Sequence, residues 1–104
     1  MDINERIGRL LGRLHRGWRV QMARRLEPLG LGMGTGMFFL TIMHHEGASQ
    51  EEIASLLAMD KGTTARAVQK LERQGLLRRE HDARDARRRL LFLSDKGKRL
   101  VPRI

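Results

Sequence analysis

The sequence contains no cysteine, which removes disulfide frameworks, thiolate metal sites and thiol switches together. Long apolar runs are missing too. MFFLTIM at residues 37–43 falls far short of the ~20 residues that a bilayer-spanning helix needs, so no membrane partner is expected. The opening MDINERIGRL has no basic leader followed by an apolar block; we expect no export signal, and a cytoplasmic location. Enzyme chemistry also lacks its marks. GLGMGTG at 30–36 has neither the lysine nor the strand–helix setting of a phosphate-cradling loop, and reads as a flexible connector. No nucleophile–base pair stands out, so no enzymatic activity and no cofactor are expected. There is no internal repeat and no low-complexity linker.

What is present is charge, unevenly placed. With 104 residues, 40% hydrophobic and 32% charged, the chain suits one soluble domain with a modest core. The formal net charge is +9. Residues 1–52 carry seven basic and six acidic side chains, whereas residues 53–104 carry fourteen and six. The positive field therefore belongs to the second half, and such a patch favours a polyanion, nucleic acid first and an anionic membrane surface second.

Periodicity predicts a mainly α fold with a small β-hairpin. Ile3, Ile7, Leu10, Leu11, Leu14, Trp18, Met22, Leu26 and Leu29 recur at steps of mostly three and four, the stripe of one long amphipathic helix over 3–29. Gly8, Gly12 and Gly17 weaken it by about 1 kcal/mol each relative to alanine, so it needs a packing partner. Pro28 and Gly30 end it. After a GLGMGT connector, a second helix is expected over 35–46, closed by Gly47. SQEE at 49–52 reads as a capping box with reciprocal bonds between Ser49 and Glu52. It opens a short helix with Ile53, Ala54, Leu56 and Leu57 as its apolar stripe. Asp60 caps a further helix, KGTTARAVQKLERQ at 61–74, stopped by Gly75. LLRRE and RRLLFL (76–80 and 88–93) suggest a hairpin around a turn-like DARDA. Ser94 and Asp95 begin a last helix. The expected divisions are a packing or dimerising helix at 1–30, a winged helix-turn-helix at 31–93 and the start of a C-terminal helix at 94–104.

A short helix, the tight AMD connection and a capped second helix form a helix-turn-helix, whose second helix enters a DNA major groove. On it, Ala65, Val68 and Leu71 are expected to face the core. Gly62, Thr63, Arg66, Lys70 and Arg73 project about half a turn away, with Gln69 at the margin. Thr63 and Thr64 suit phosphate or a thymine methyl, and Arg66 can fork onto guanine. The stretch HDARDARRRLLFLS at 81–94 then reads as a wing spanning 80–88, set at the adjacent minor groove. Arg84 and Arg87 are the candidates for insertion there. Asp82 and Asp85, poor DNA contacts themselves, are expected to hold those guanidiniums by charge-assisted hydrogen bonds. Leu90 and Phe92 alternate with Leu91 and Leu93, and sit exposed unless something covers them.

The run from Ser49 to Lys98 resembles the winged-helix core of MarR-type transcriptional regulators, particularly the SlyA-like branch. The matching features are S-Q-x-E-I-A at the brace helix, K-L-E-x-x-G-L at the end of the recognition helix, D-x-R in the wing and L-S-x-K-G before the last helix. RLHRGWRVQMARRLEPLGL at 13–31 is similar to the family's first helix. The resemblance implies a homodimeric regulator, a repressor or activator, reading a palindromic operator in double-stranded DNA and often released by small aromatic or phenolic effectors. By position it places Thr63, Thr64 and Arg66 in the groove, and Asp85 and Arg87 in the wing motif. Two residues depart from the pattern. Ala86 stands where many such wings carry another arginine, and Gly62 where serine or proline is common. Family members continue into C-terminal helices that build the dimer. The expectation here is either an incomplete chain or a shortened member dimerising through its first helix.

Other readings have less behind them. His44, His45 and Glu46 sit together, but adjacent histidines diverge on a helix and no His-x-x-x-His spacing occurs, so no metal is expected. Trp18, Met22, Met37, Phe38 and Met43 admit two uses, plain core or the lining of an apolar effector pocket. The alternative function is a winged-helix module that binds protein or RNA. Such a module has no need of cations on the recognition face and wing tip together.

Overall fold

In the computed structural model, which describes residues 2–104, the chain divides into two compact units, the first ending at Met33, the opening residue of the helix over 33–44, and the second beginning at Gly34. The first is dominated by α1 (Ile3–Leu26). Asp2 caps it by accepting the Glu5 amide at 2.9 Å, and Arg24 and Arg25 complement the dipole at its far end. The predicted continuous helix over 3–29 is shorter by a turn. Pro28 lies in a 3₁₀ turn, Glu27–Leu29, after which the Leu31 amide returns to the Leu26 carbonyl. Leu26 and Leu31 are buried, but Ile3, Ile7, Leu10, Leu11, Leu14 and Trp18 are exposed, Ile3 by 71%. Each forgoes the roughly 1.5–3 kcal/mol that full burial of a large apolar side chain supplies.

The second unit holds α2 (Met33–His44), α3 (Gln50–Leu57), α4 (Lys61–Arg73), a hairpin of β1 (Leu77–His81) and β2 (Arg89–Leu93), and α5 (Asp95–Leu100). α2 runs two residues earlier at each end than 35–46. Gly34 does not stop it, and its end is set by a turn at 45–47 in which the His45 amide bonds the Ile42 carbonyl. Phe38, Phe39 and Ile42 from α2, Ile53 from α3, Val68 and Leu71 from α4, and Leu91 and Leu93 from β2 form the core. Leu56, expected in the stripe of α3, is instead 54% exposed. An eight-residue helix has only two turns to bury, and Ile53 and Ala54 already fill that face. No helix among the described residues is long and apolar enough by itself to cross a membrane.

Local caps position the elements. Ser49, Asp60 and Ser94 each accept an amide three residues on. The capping box is half formed. Glu52 donates its amide to the Ser49 hydroxyl, but its carboxylate turns to that hydroxyl and to Arg88 rather than to the Ser49 amide. Between α3 and α4 lie only residues 58–60, with Ala58 left-handed at φ 52. Gly97 in α5 packs so closely on β1's approach that a methyl there would run into the Leu76 carbonyl oxygen.

The hairpin is not a free ribbon. β1 and β2 pair antiparallel from Leu77↔Leu93 to His81↔Arg89, and β2's other edge is bonded to the segment before α3. The Gly47 amide reaches the Leu91 carbonyl and the Leu91 amide reaches Ala48, both at 2.8 Å, while Ser49 bridges Leu90. Glu46 accepts the Leu93 amide at 2.8 Å, which gives that carboxylate a structural job. Gly47, at φ +89, packs against the Phe92 ring, and the Arg78 guanidinium lies over the ring at 4.6 Å. That cover leaves Leu90 and Phe92 half-buried rather than exposed.

Candidate nucleic-acid interface

The surface begins with the facing of α4. Its buried side is Thr64, Ala67, Val68 and Leu71, rotated from the expected Ala65, Val68 and Leu71. Ala65 is half-buried. Thr64 therefore leaves the predicted contact set: it is 0% exposed, and its hydroxyl bonds the Asp60 carbonyl at 2.9 Å. A threonine satisfied by its own helix carries no unmet polar atom into the core. Lys61, Arg66, Gln69, Lys70 and Arg73 are exposed along the outer side, with Thr63 half-buried beside them.

Asp60 organises the helix start. Its carboxylate accepts the Thr63 amide at 2.9 Å and the Thr63 hydroxyl at 2.6 Å. The same hydroxyl accepts from the Arg66 guanidinium at 3.2 Å. The Thr63 hydroxyl, then its amide, hold the Asp60 carboxyl below its ordinary 3.8, with Arg66 adding a smaller push in the same direction. It is ionised at neutral pH.

At the wing, residues 82–88 close the hairpin, with Asp82 donating its amide to Arg88 and Arg88 donating its own to Asp85. The two aspartates act differently from expectation. Asp82 accepts the backbone amide of Arg84 at 2.9 Å, and Asp85 that of Arg87 at 3.0 Å. Short carboxylates two residues upstream reach the main chain more readily than the distant end of an arginine. They shape the turn and leave both guanidiniums unheld: among the described residues, none pairs with the side chain of Arg84 or Arg87. Arg88 is the residue that sequence reasoning missed. Its guanidinium pairs with Glu52, approaches Asp82 at 3.8 Å and reaches the Ser49 hydroxyl at 3.4 Å. Alternation along extended chain, which separates Arg88 from Arg87 and Arg89, was the available signal.

The carboxylates are thus spent in particular places. Glu72 holds Arg79, Glu80 holds Arg78 and Glu52 holds Arg88. Among the described residues no carboxylate pairs with Lys61, Lys70, Arg73, Arg84, Arg87 or Arg89. Within the second unit such cations are on α4, the wing and β2, and Lys98, Arg99 and Arg103 near the C-terminal end are likewise without a carboxylate among the described residues. α4 and the wing share a margin. Glu51 borders the groove that contains Lys61 and Gly62 and also the cleft that contains Asp85 and Arg87. The five residues considered for an effector pocket divide between the units, Trp18 and Met22 in the first and Met37, Phe38 and Met43 in the second. Phe38 is core, only 2% exposed.

The MarR family model matches residues 30–88. The HTH-type transcriptional regulator YybA of Bacillus subtilis (strain 168) is 34% identical over 76 residues, covering 73% of this chain and 51% of that protein. Among solved structures, a MarR transcriptional regulator from Methanosarcina mazei Go1 superposes with a TM-score of 0.84 at 39% identity, over 94% of this chain and 70% of that one. The complex of S. aureus MepR with DNA superposes with a TM-score of 0.75 at 26% identity, over 92% and 71%. This chain spans about half the length of the Bacillus protein. The matched segment runs through α2, α3, α4, β1 and the turn at 82–88, and this chain belongs to the MarR family.

Proposed function

We propose that the chain is the reading part of a transcriptional regulator that binds double-stranded DNA as a homodimer. α4 enters the major groove of each half of a palindromic operator, and Arg84 or Arg87 reaches the neighbouring minor groove. One observation carries this reading: α4 and the wing tip present exposed cations that have no carboxylate partner among the described residues, on two features that share a border at Glu51, while the arginines of β1 and the wing root are neutralised. A duplex presents phosphates along both features, and unpaired cations exchange counterions for them. That MepR has been solved with DNA on the same fold supports it. The uncovered apolar stripe of α1 supports self-association, and a dimer matches two half-sites about one helical turn apart.

The test is selection of bound duplexes from a random pool, repeated across salt concentrations. The expected product is an enriched palindrome whose affinity falls steeply with salt. Recovery of no preferred sequence overturns the reading. Substituting Arg66→Ala should then cost about 1–3 kcal/mol at one base position. Equal weakening on every sequence would make Arg66 a phosphate ligand instead.

A further inference from the structure

We propose that Asp60, which reads no base itself, determines specificity by restraining Arg66 through the Thr63 hydroxyl and by placing a negative charge on the Thr63 amide at the start of α4, against stray phosphate. This rests on the DNA-reading function above and deepens it.

The geometry is a relay of three residues on one turn and a half of helix. The Asp60 carboxylate takes both the amide and the hydroxyl of Thr63, and Thr63 in turn takes a guanidinium N–H of Arg66. Gly62 gives the fold-back room. A β-carbon at that position would stand 3.3 Å from the Arg66 guanidinium and 3.3 Å from the Asp60 carboxylate. With no side chain there, Arg66 lies back along the start of α4, so in the free protein it is engaged.

Two consequences follow for recognition. A helix start with free amides is a ready anion site that binds phosphate irrespective of sequence. Here the carboxylate already holds the Thr63 amide, and its charge opposes a phosphate drawn to Lys61 and Arg66. Arg66 must also leave the Thr63 hydroxyl before it can fork onto a base edge. A duplex that offers two well-placed acceptors, as guanine does, replaces what is given up with a surplus. Random sequence offers a single phosphate contact in exchange. Asp60 therefore weakens unspecific binding more than operator binding.

The experiment compares the palindrome enriched from the random pool with a scrambled duplex of equal length and composition. Asp60→Asn keeps a side-chain oxygen for the Thr63 amide and removes the charge. It should raise affinity for the scrambled duplex about threefold, the scale of one exposed charge interaction, and change operator affinity less than twofold. Gly62→Ala approaches the relay from the other side. Alanine favours the helix and so raises the melting temperature, yet its methyl shifts the Arg66 guanidinium by a few tenths of an ångström, loosens its bond to the Thr63 hydroxyl and should lower discrimination in the same direction. A purely structural Asp60 would give a different pair of results. Asp60→Asn would then lower the melting temperature with both duplexes affected equally, and Gly62→Ala would leave discrimination intact. Either of those outcomes overturns the proposal. If the wild-type protein enriches no sequence at all, the underlying DNA-reading function fails, and that result is distinct from unchanged discrimination in the variants.

Discussion

Arg87 and Arg88 are neighbours in a run of three arginines; Arg88 is tied to Glu52, and no described carboxylate pairs with Arg87. Replacing each by alanine should separate stability from DNA contact. Arg88 spans from the wing to α3, with side-chain exposures of 43% for itself and 50% for Glu52. Discounted for solvent screening, this pairing together with the Asp82 approach is worth about 0.5–1 kcal/mol. For a chain of this size that is a fall in melting temperature of about 2–8 °C. The Arg87 side chain has no ion-pair partner among the described residues, so its removal should leave stability within about 0.5 kcal/mol. Its effect should appear on DNA, where loss of one phosphate-neutralising cation lowers the salt slope by about 0.9. The affinity deficit of Arg87→Ala should then shrink about 3.5-fold between 50 and 200 mM salt. Thermal unfolding without DNA and fluorescence anisotropy across salt measure the two quantities independently. If Arg88→Ala lowers the salt slope while melting at the wild-type temperature, Arg88 is a phosphate ligand and the strut does not exist.

Three further outcomes test the packing. Thr64→Val keeps the shape of a buried residue but removes its bond to the Asp60 carbonyl; it should cost about 0.5–1.5 kcal/mol in urea unfolding while operator affinity per folded molecule stays unchanged. A lost DNA contact with full stability would return Thr64 to the interface. Gly97→Ala must displace α5 from the Leu76 carbonyl, a cost of about 1–3 kcal/mol by the same measurement. Ala58→Gly relieves a left-handed alanine between α3 and α4 and should gain about 0.5–1 kcal/mol after the entropy lost by glycine is subtracted.

The caps were legible because they are local: Ser49, Asp60 and Ser94 each accept from a residue three positions away, and the sequence places acceptor and donor within one turn. The order of helices and hairpin followed from them. The facing of α4 was less legible. Neighbouring helical residues differ by 100°, and a threonine that can satisfy itself on the preceding turn is as fit for the core as alanine. Least legible were the contacts that cross the chain. Glu46 to Leu93 and Ser49 to Arg88 join residues 47 and 39 apart, and no short-range pattern announces such pairs. The aspartates of the wing were placed in the right turn and given the wrong partner, because local spacing does not say whether a carboxylate meets a main-chain amide or a guanidinium.

The bonding of β2 to residues 46–49 has a bearing on how genetic data on this protein should be interpreted. A two-stranded ribbon alone is marginal in water, so the hairpin takes its aim from a turn that precedes the brace helix. Screens for lost operator occupancy should therefore return lesions at Glu46, whose carboxylate makes the bond to Leu93, and at Gly47, whose φ of +89 few other residues adopt. A map drawn from phenotype alone would count those positions as contacts, although they would act only by tilting a hairpin they hold from behind.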